Sequence, residues 1–267
     1  MTYLHRRALK SEVKNEAQLN VLQETQLIEK RAALRKKIVR FHKLLPDHLP
    51  LYVRQFPTAL DSNSLETQNP EDVSLILPST LSQTLRSSTC PAPLNNAEER
   101  LREAQAFEGL DELRRYLRQR SFASSFKIKN VTGQRANTRA RQWLNTINAK
   151  VIAAKHTYRH ARASLLALRG SGPWENALKP LEDGDVRGLN ERALTEQEKA
   201  ERDAVRERGG VVDEVQGVPV LLAVALGDGR RTLSWIWSAP GSVDKNDSET
   251  TKGTSMVSPL RCIADLA

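Results

Sequence analysis

The stretch "HTYRH" at residues 156–160 sets two histidines at i and i+4, the spacing by which one helix face presents two imidazoles to zinc in metal-dependent proteases. That chemistry also needs a glutamate directly after the first histidine and a third ligand elsewhere. Here the glutamate position is Thr157, and no third ligand is evident. At 100° per residue, His156 and His160 fall opposite the apolar stripe of their own segment, so both are expected to face solvent. The glycines of "GDGRRT" at 227–232 lack the Walker lysine context and a defined strand before them, which argues against a phosphate loop. Carboxylates crowd "LEDGDVRGLNE" at 181–191, and in a glycine-containing loop they read as a solvated surface. A two-metal nuclease site would need acids at the ends of several paired strands. Cys90 and Cys262 are far apart, with no CxxC partner or nearby histidine, which excludes a zinc finger and a disulfide scaffold and suits a reducing, intracellular setting. The chain is therefore read as no enzyme, with no catalytic residue, metal, cofactor or small-molecule substrate.

The remaining chemistry is cationic. The 267 residues carry a net charge of +9 and an isoelectric point near 9.7, a balance that suits an anionic partner such as nucleic acid. The charge is unevenly placed: residues 1–60 carry +7, 61–96 carry −3, 97–170 carry +10, 171–215 carry −5, and the remainder is neutral. Within the first basic block Lys36, Arg40 and Lys43 recur at i, i+4 and i+7 on the back of a helical pattern. Such a stripe can lie along phosphates without reading sequence, although any solvated helix needs a charged outer face. In "NVTGQRANTRARQWL" at 130–144, Arg135, Arg139 and Arg141 do not share one helical face. Arg139 sits one turn before Trp143, within reach of a cation–π contact.

Long periodic segments must position these groups. Residues 2–45 lack Pro and Gly and place Leu27, Leu34, Ile38, Phe41 and Leu45 on one face, which predicts an amphipathic helix closed by Pro46 and Pro50. The domain of residues 1–56 is this basic helix. Residues 57–95 are rich in Ser, Thr, Asn and Pro and read as a linker with one apolar anchor, "VSLILPSTL" at 73–81. Residues 96–170 predict an antiparallel helical hairpin. Its first helix runs from about Asn96 to Ser121 with Ala106, Leu110, Leu113 and Leu117 on one face. Roughly a dozen residues then connect to a second helix bearing Trp143, Ile147, Val151, Ala154, Tyr158, Ala161, Leu165 and Leu168. Residues 171–215 suggest short helices and acidic loops, with a capping box from Thr195 to Glu198. Residues 216–240 form a short apolar and tryptophan-bearing segment, in which "VPVLLAVAL" at 218–226 has strand character but no visible partner. Residues 241–267 read as a disordered tail. The expected fold is mainly α: long amphipathic helices in an αα-hairpin or small bundle, with no stretch of about 18 apolar residues to span a membrane.

Taken in order, "RKKIVRFHKLLP", "EDVSLILPSTL", "AEERLREAQAFEGLDELRRYLRQRSF", then "NVTGQRANTRARQWLNTINAKVIAAKHTYRHARASLLALRGSGPWENALKPLEDGDVRGL" and finally "GRRTLSWIW" resemble the C-terminal helical region of the fungal Kyakuja–Dileera–Zisupton transposases. The resemblance covers roughly residues 20–240. It implies a region that follows a cysteine-rich cluster and an RNase-H-like core with acidic metal-binding residues. Neither has a match here, so no catalytic position is carried over.

The expectation is a non-catalytic, transposon-derived helical protein of the cell interior, nucleus included, with weak sequence-independent nucleic-acid contact or a second helical subunit as partner. The alternative is a purely structural module that self-associates or contacts other proteins and uses its basic residues for solubility.

Overall fold

A computed structural model describes residues 20–57, 68–189 and 233–240, together with positions 6, 9–10, 13, 191–192, 197, 200, 204, 207 and 218–219. It is mainly helical. The α-helices with ranges among the described residues run in order: α1 Val21–His48, α2 Pro50–Gln55, α3 Gln83–Thr89, α4 Ala92–Asn130 and α5 Gln134–Arg169.

Helix α4 and helix α5 form the predicted antiparallel hairpin, and both exceed their expected lengths. The connection is three residues, 131–133, where about a dozen were expected. Gly133 makes so short a link possible: its φ of 84° lies in the left-handed region that costs a side-chain-bearing residue energy. Ala106, Leu110, Leu113 and Leu117 of α4 and Ile147, Val151, Ala154, Tyr158, Ala161 and Leu165 of α5 are all buried in one cluster. Full burial of each leucine contributes about 1.5–3 kcal/mol, so these contacts, and not helix propensity, hold the pair together. Gly109 marks the closest approach, where an added Cβ would stand 3.1 Å from the Tyr158 nitrogen and 3.3 Å from its Cα.

The tryptophan segment closes this core. Trp235–Trp237 forms a 3₁₀ turn that inserts a fully buried Ile236. Buried Arg114 of α4 holds the turn by donating to the Ile236 carbonyl at 2.6 Å and to the Ala239 carbonyl, and Trp237 donates to the Arg187 carbonyl at 3.1 Å. The first two residues of the run at 218–226 find a partner: Val218–Pro219 pairs antiparallel with Glu191–Arg192, and residues 220–226 lie outside the described residues. That partner is polar, so an apolar pattern could not mark it. Helical positions 197, 200, 204 and 207 agree with a helix after Thr195, whose cap lies outside the described residues, as does the tail at 241–267.

Three boundaries differ from expectation. The first helix does not run unbroken from residue 2, because Asn20 is extended and caps α1: its side chain accepts from the Gln23 amide at 2.9 Å, and the Gln23 side chain accepts from the Asn20 amide at 3.0 Å, a reciprocal box. Pro46 lies inside the last turn of α1 and does not terminate the helix, which ends at His48. Proline at this point removes one hydrogen bond to an already fraying end, a small loss compared with a mid-helix position. On α1 His42 joins Leu27, Leu34, Ile38 and Leu45 in burial, and Phe41 is only half-buried.

The expected linker is folded wherever it is described. Val73 packs with Leu27, Leu34 and Ile38 in a second, smaller core, so the anchor is real. Around it the hydroxyls that suggest loop composition are structural groups. Ser79 donates both its amide and its hydroxyl to Glu98, at 2.9 and 2.6 Å. The Ser82 side chain caps α3 by accepting from Leu85 at 3.4 Å, and Thr89 donates to the Leu85 carbonyl at 2.6 Å. Ser and Thr favour caps and turns for this reason.

Candidate nucleic-acid interface

The hairpin has a stem and a tip. Along the stem a packed second layer covers α4 and α5: the segment 171–187, the turn 234–240 and the 3₁₀ turn Pro78–Thr80. At the tip, from about Phe122 on α4 to Thr146 on α5, the helices have chiefly each other. Phe122 is 56% exposed, Ile128 52% and Trp143 40%. Trp143 is expected to begin the buried stripe, but burial on α5 starts at Ile147.

Charge divides the same way. No Asp or Glu occurs from residue 113 to 174, a run that contains 14 Lys and Arg. The acids of α4 all lie at or before residue 112, and most are engaged: Glu98 with Arg102 at 2.9 Å, Asp111 with Arg114 at 2.8 Å, Glu112 with Arg115 at 3.5 Å, and Glu99 and Glu103 with Arg169 at 2.5 and 2.8 Å. On the stem side of α5, Arg162 pairs with Glu175 at 2.7 Å and Arg159 with Asp183 at 2.6 Å. Between residues 118 and 150 the helices carry eight Lys and Arg and no acid. Lys129, Arg135, Arg139 and Arg141 are exposed there, and Lys127 is half-buried. The three arginines do not share one face, as their phases predict. On a helix exposed almost all round, however, a shared face is not needed for a positive surface.

The second predicted trio is also exposed. Lys36, Arg40 and Lys43 project from α1 away from Leu34, Ile38 and Leu45, as the stripe predicts. It shares its helix with Glu24, Glu29 and Asp47. The two trios rest on separate cores, so the structure does not merge them into one patch. The acid-free run was legible in the sequence but is diluted when charge is summed over 97–170, because that window includes the acids of the stem.

Two expectations about chemistry are corrected. His156 and His160 are half-buried, not solvent-facing. A single-helix phase argument cannot foresee the layer that covers the face opposite α4. Burial pushes the His160 imidazole below its usual range, with nearby Arg102 and Arg6 adding to the effect and Glu98 opposing it. The acidic loop is likewise docked. Tyr158 donates to the Lys179 carbonyl at 2.5 Å, Arg159 to the Leu181 carbonyl at 2.9 Å and Arg162 to the Leu178 carbonyl at 2.8 Å. Burial works to raise the Asp183 carboxyl, but the Arg159 hydrogen bond and the charges of Lys155 and Arg159 outweigh it and leave it below the ordinary carboxylate range. Among the described residues no three of His, Cys, Asp and Glu converge as a metal site would require, and no described helix is long and apolar enough to cross a membrane.

The buried histidines carry a pH dependence. Burial lowers His42, whose ring nitrogens have no hydrogen-bond partner among the described residues, as it lowers His160. With both folded values depressed, the unfolded chain binds more protons below its ordinary histidine value of about 6.5. Stability is therefore full above that pH and falls as pH drops towards the folded values. Thermal unfolding followed by circular dichroism should show a lower midpoint at pH 5.5 than at 7.5. His42→Leu combined with His160→Gln should shrink that difference, and an undiminished difference would assign the effect to other groups.

The chain matches no protein-family model, no curated protein and no solved structure.

Proposed function

We propose that this chain is a non-catalytic, sequence-independent nucleic-acid-binding helical module, and that it descends from the C-terminal region of a transposase of the kind its sequence resembles. The observation that carries the binding half is the projecting, acid-free hairpin tip. Lysines and arginines on a water-exposed stretch whose sequence holds no Asp or Glu present net positive charge to phosphate, and phosphate contact releases counterions. The lineage rests on the ordered sequence resemblance alone. The reading expects an intracellular protein, nucleus included, with no substrate to turn over.

A shift assay with the full chain tests it. If about five phosphates are neutralised, affinity for a 20-nucleotide probe should fall by roughly two orders of magnitude between 50 and 200 mM salt. No shift at the lower salt sinks the reading. One observation favours the structural alternative: α1 exposes Val21 and Ile28, at 78% and 65%, on its outer side. A stable dimer by light scattering, in a protein that shifts no nucleic acid, would move the function to self-association through that helix.

A further inference from the structure

We infer that the hairpin tip binds single-stranded nucleic acid in preference to duplex, with Trp143 and Phe122 as stacking platforms for unpaired bases. This deepens the nucleic-acid reading and rests on it.

The register of the hairpin places the aromatic groups. Lys150 sits over the Tyr116 ring at 5.7 Å and Gly109 lies against Tyr158, so residues facing each other across the pair have numbers that sum to about 266 or 267. Trp143 therefore stands level with Ala123, one residue from Phe122. On the same helix Phe126 stacks with Phe122, ring centroids 6.4 Å apart at an interplanar angle of 26°. Two exposed rings and a half-buried one thus share one level of the tip. Lys127, Arg139 and Arg141 lie within about one helical turn of these rings in sequence, and no carboxylate of either helix is near in sequence.

Exposed aromatic rings among cations match what unpaired strands offer. Every base has a π-face, and phosphates follow at each nucleotide. A duplex conceals its bases within the stack. Two helices side by side measure about 20 Å, at 10–12 Å each, while the major groove is about 12 Å wide. The hairpin cannot enter the groove as a unit, so on duplex the rings would stay in water and only phosphates would be contacted. On single strands both the rings and the cations are used.

The test compares the full chain on a mixed-sequence 20-nucleotide single strand and on the duplex of the same sequence at 100 mM salt. The single strand should bind at least several-fold more tightly. Trp143→Ala should cost roughly 10-fold on the single strand, the order of one lost base–ring stack, and leave duplex affinity and the salt slope unchanged. Trp143→Phe should restore most of the loss, and Phe122→Ser should weaken single-strand binding in the same direction as Trp143→Ala. Circular dichroism confirms that each variant is helical. Equal or tighter duplex binding overturns the preference, as does an equal loss on both probes from Trp143→Ala, and either result leaves the general nucleic-acid reading standing. Failure to bind either probe at 50 mM salt removes both. Vesicles of phosphatidylcholine with phosphatidylserine serve as a control, and binding to these alone would assign the aromatic, cationic tip to a lipid surface and overturn the inference.

Discussion

Exchange of Arg135, Arg139 and Arg141 for glutamine is expected to weaken nucleic-acid binding by roughly 100-fold or more at 50 mM salt, and to flatten the salt dependence by two to three units of slope. Each lost phosphate contact removes about 0.7–0.9 from that slope, and roughly 100-fold corresponds to about 2.7 kcal/mol. Glutamine keeps good helix propensity, so the variant should retain its helical content and midpoint. The companion variant, Lys36, Arg40 and Lys43 to glutamine, removes the same charge from α1. Its effect should stay within a few-fold, because those cations share their helix with Glu24, Glu29 and Asp47 and contribute less net potential. Equal losses from the two variants would spread the interface over both helices. A greater loss from the α1 variant would move the interface to the first helix.

Replacing Tyr158 by alanine should destabilise the hairpin by about 3–5 kcal/mol, the range for removing a large buried ring. Tyr158 is fully buried and meets three parts of the structure. Its backbone is the surface against which Gly109 of α4 closes. Its ring lies 6.1 Å from that of Trp235, and its hydroxyl donates to the Lys179 carbonyl at 2.5 Å. Burial also pushes its phenol far above the ordinary tyrosine range, with Arg162 opposing the shift. Urea unfolding followed by helical signal and by tryptophan fluorescence should show a lower midpoint. Tyr158→Phe keeps the ring and should lose only about 1–2 kcal/mol through the carbonyl left without its donor. If alanine and phenylalanine cost the same, the ring's packing is not what holds the segment 171–187 and the tryptophan turn to the hairpin.

Tyr158 and Trp143 also show how far the sequence could be read. They belong to one stripe with identical periodicity, yet Tyr158 is fully buried and Trp143 is 40% exposed. Helical spacing states which residues share a face. It does not state how far along the helix a partner layer extends. The tip and stem were therefore indistinguishable until the docking of 171–187, 234–240 and Pro78–Thr80 was known. The half-burial of His156 and His160 has the same cause, since the layer that covers α5 comes from outside its own helix. Ser79 and Ser82 were read as linker because their composition is that of loops, while their hydroxyls satisfy Glu98 and the first turn of α3.

By itself the sequence determined the three long helices in outline, the faces of α1, α4 and α5 that turn inward, the antiparallel hairpin and the excess of positive charge on two helical segments, but not α2 or α3. These are local properties, set by spacing and side-chain type within a few turns. Only the tertiary structure decided which cations remain in water. Arg114, Arg159 and Arg162 are tied to carbonyls and carboxylates brought from 3 to 125 residues away, whereas Lys129, Arg135 and Arg141 are exposed near the far end of the hairpin. Charge can be counted along a chain, but its exposure depends on contacts between distant segments, and those exist only once the chain has folded.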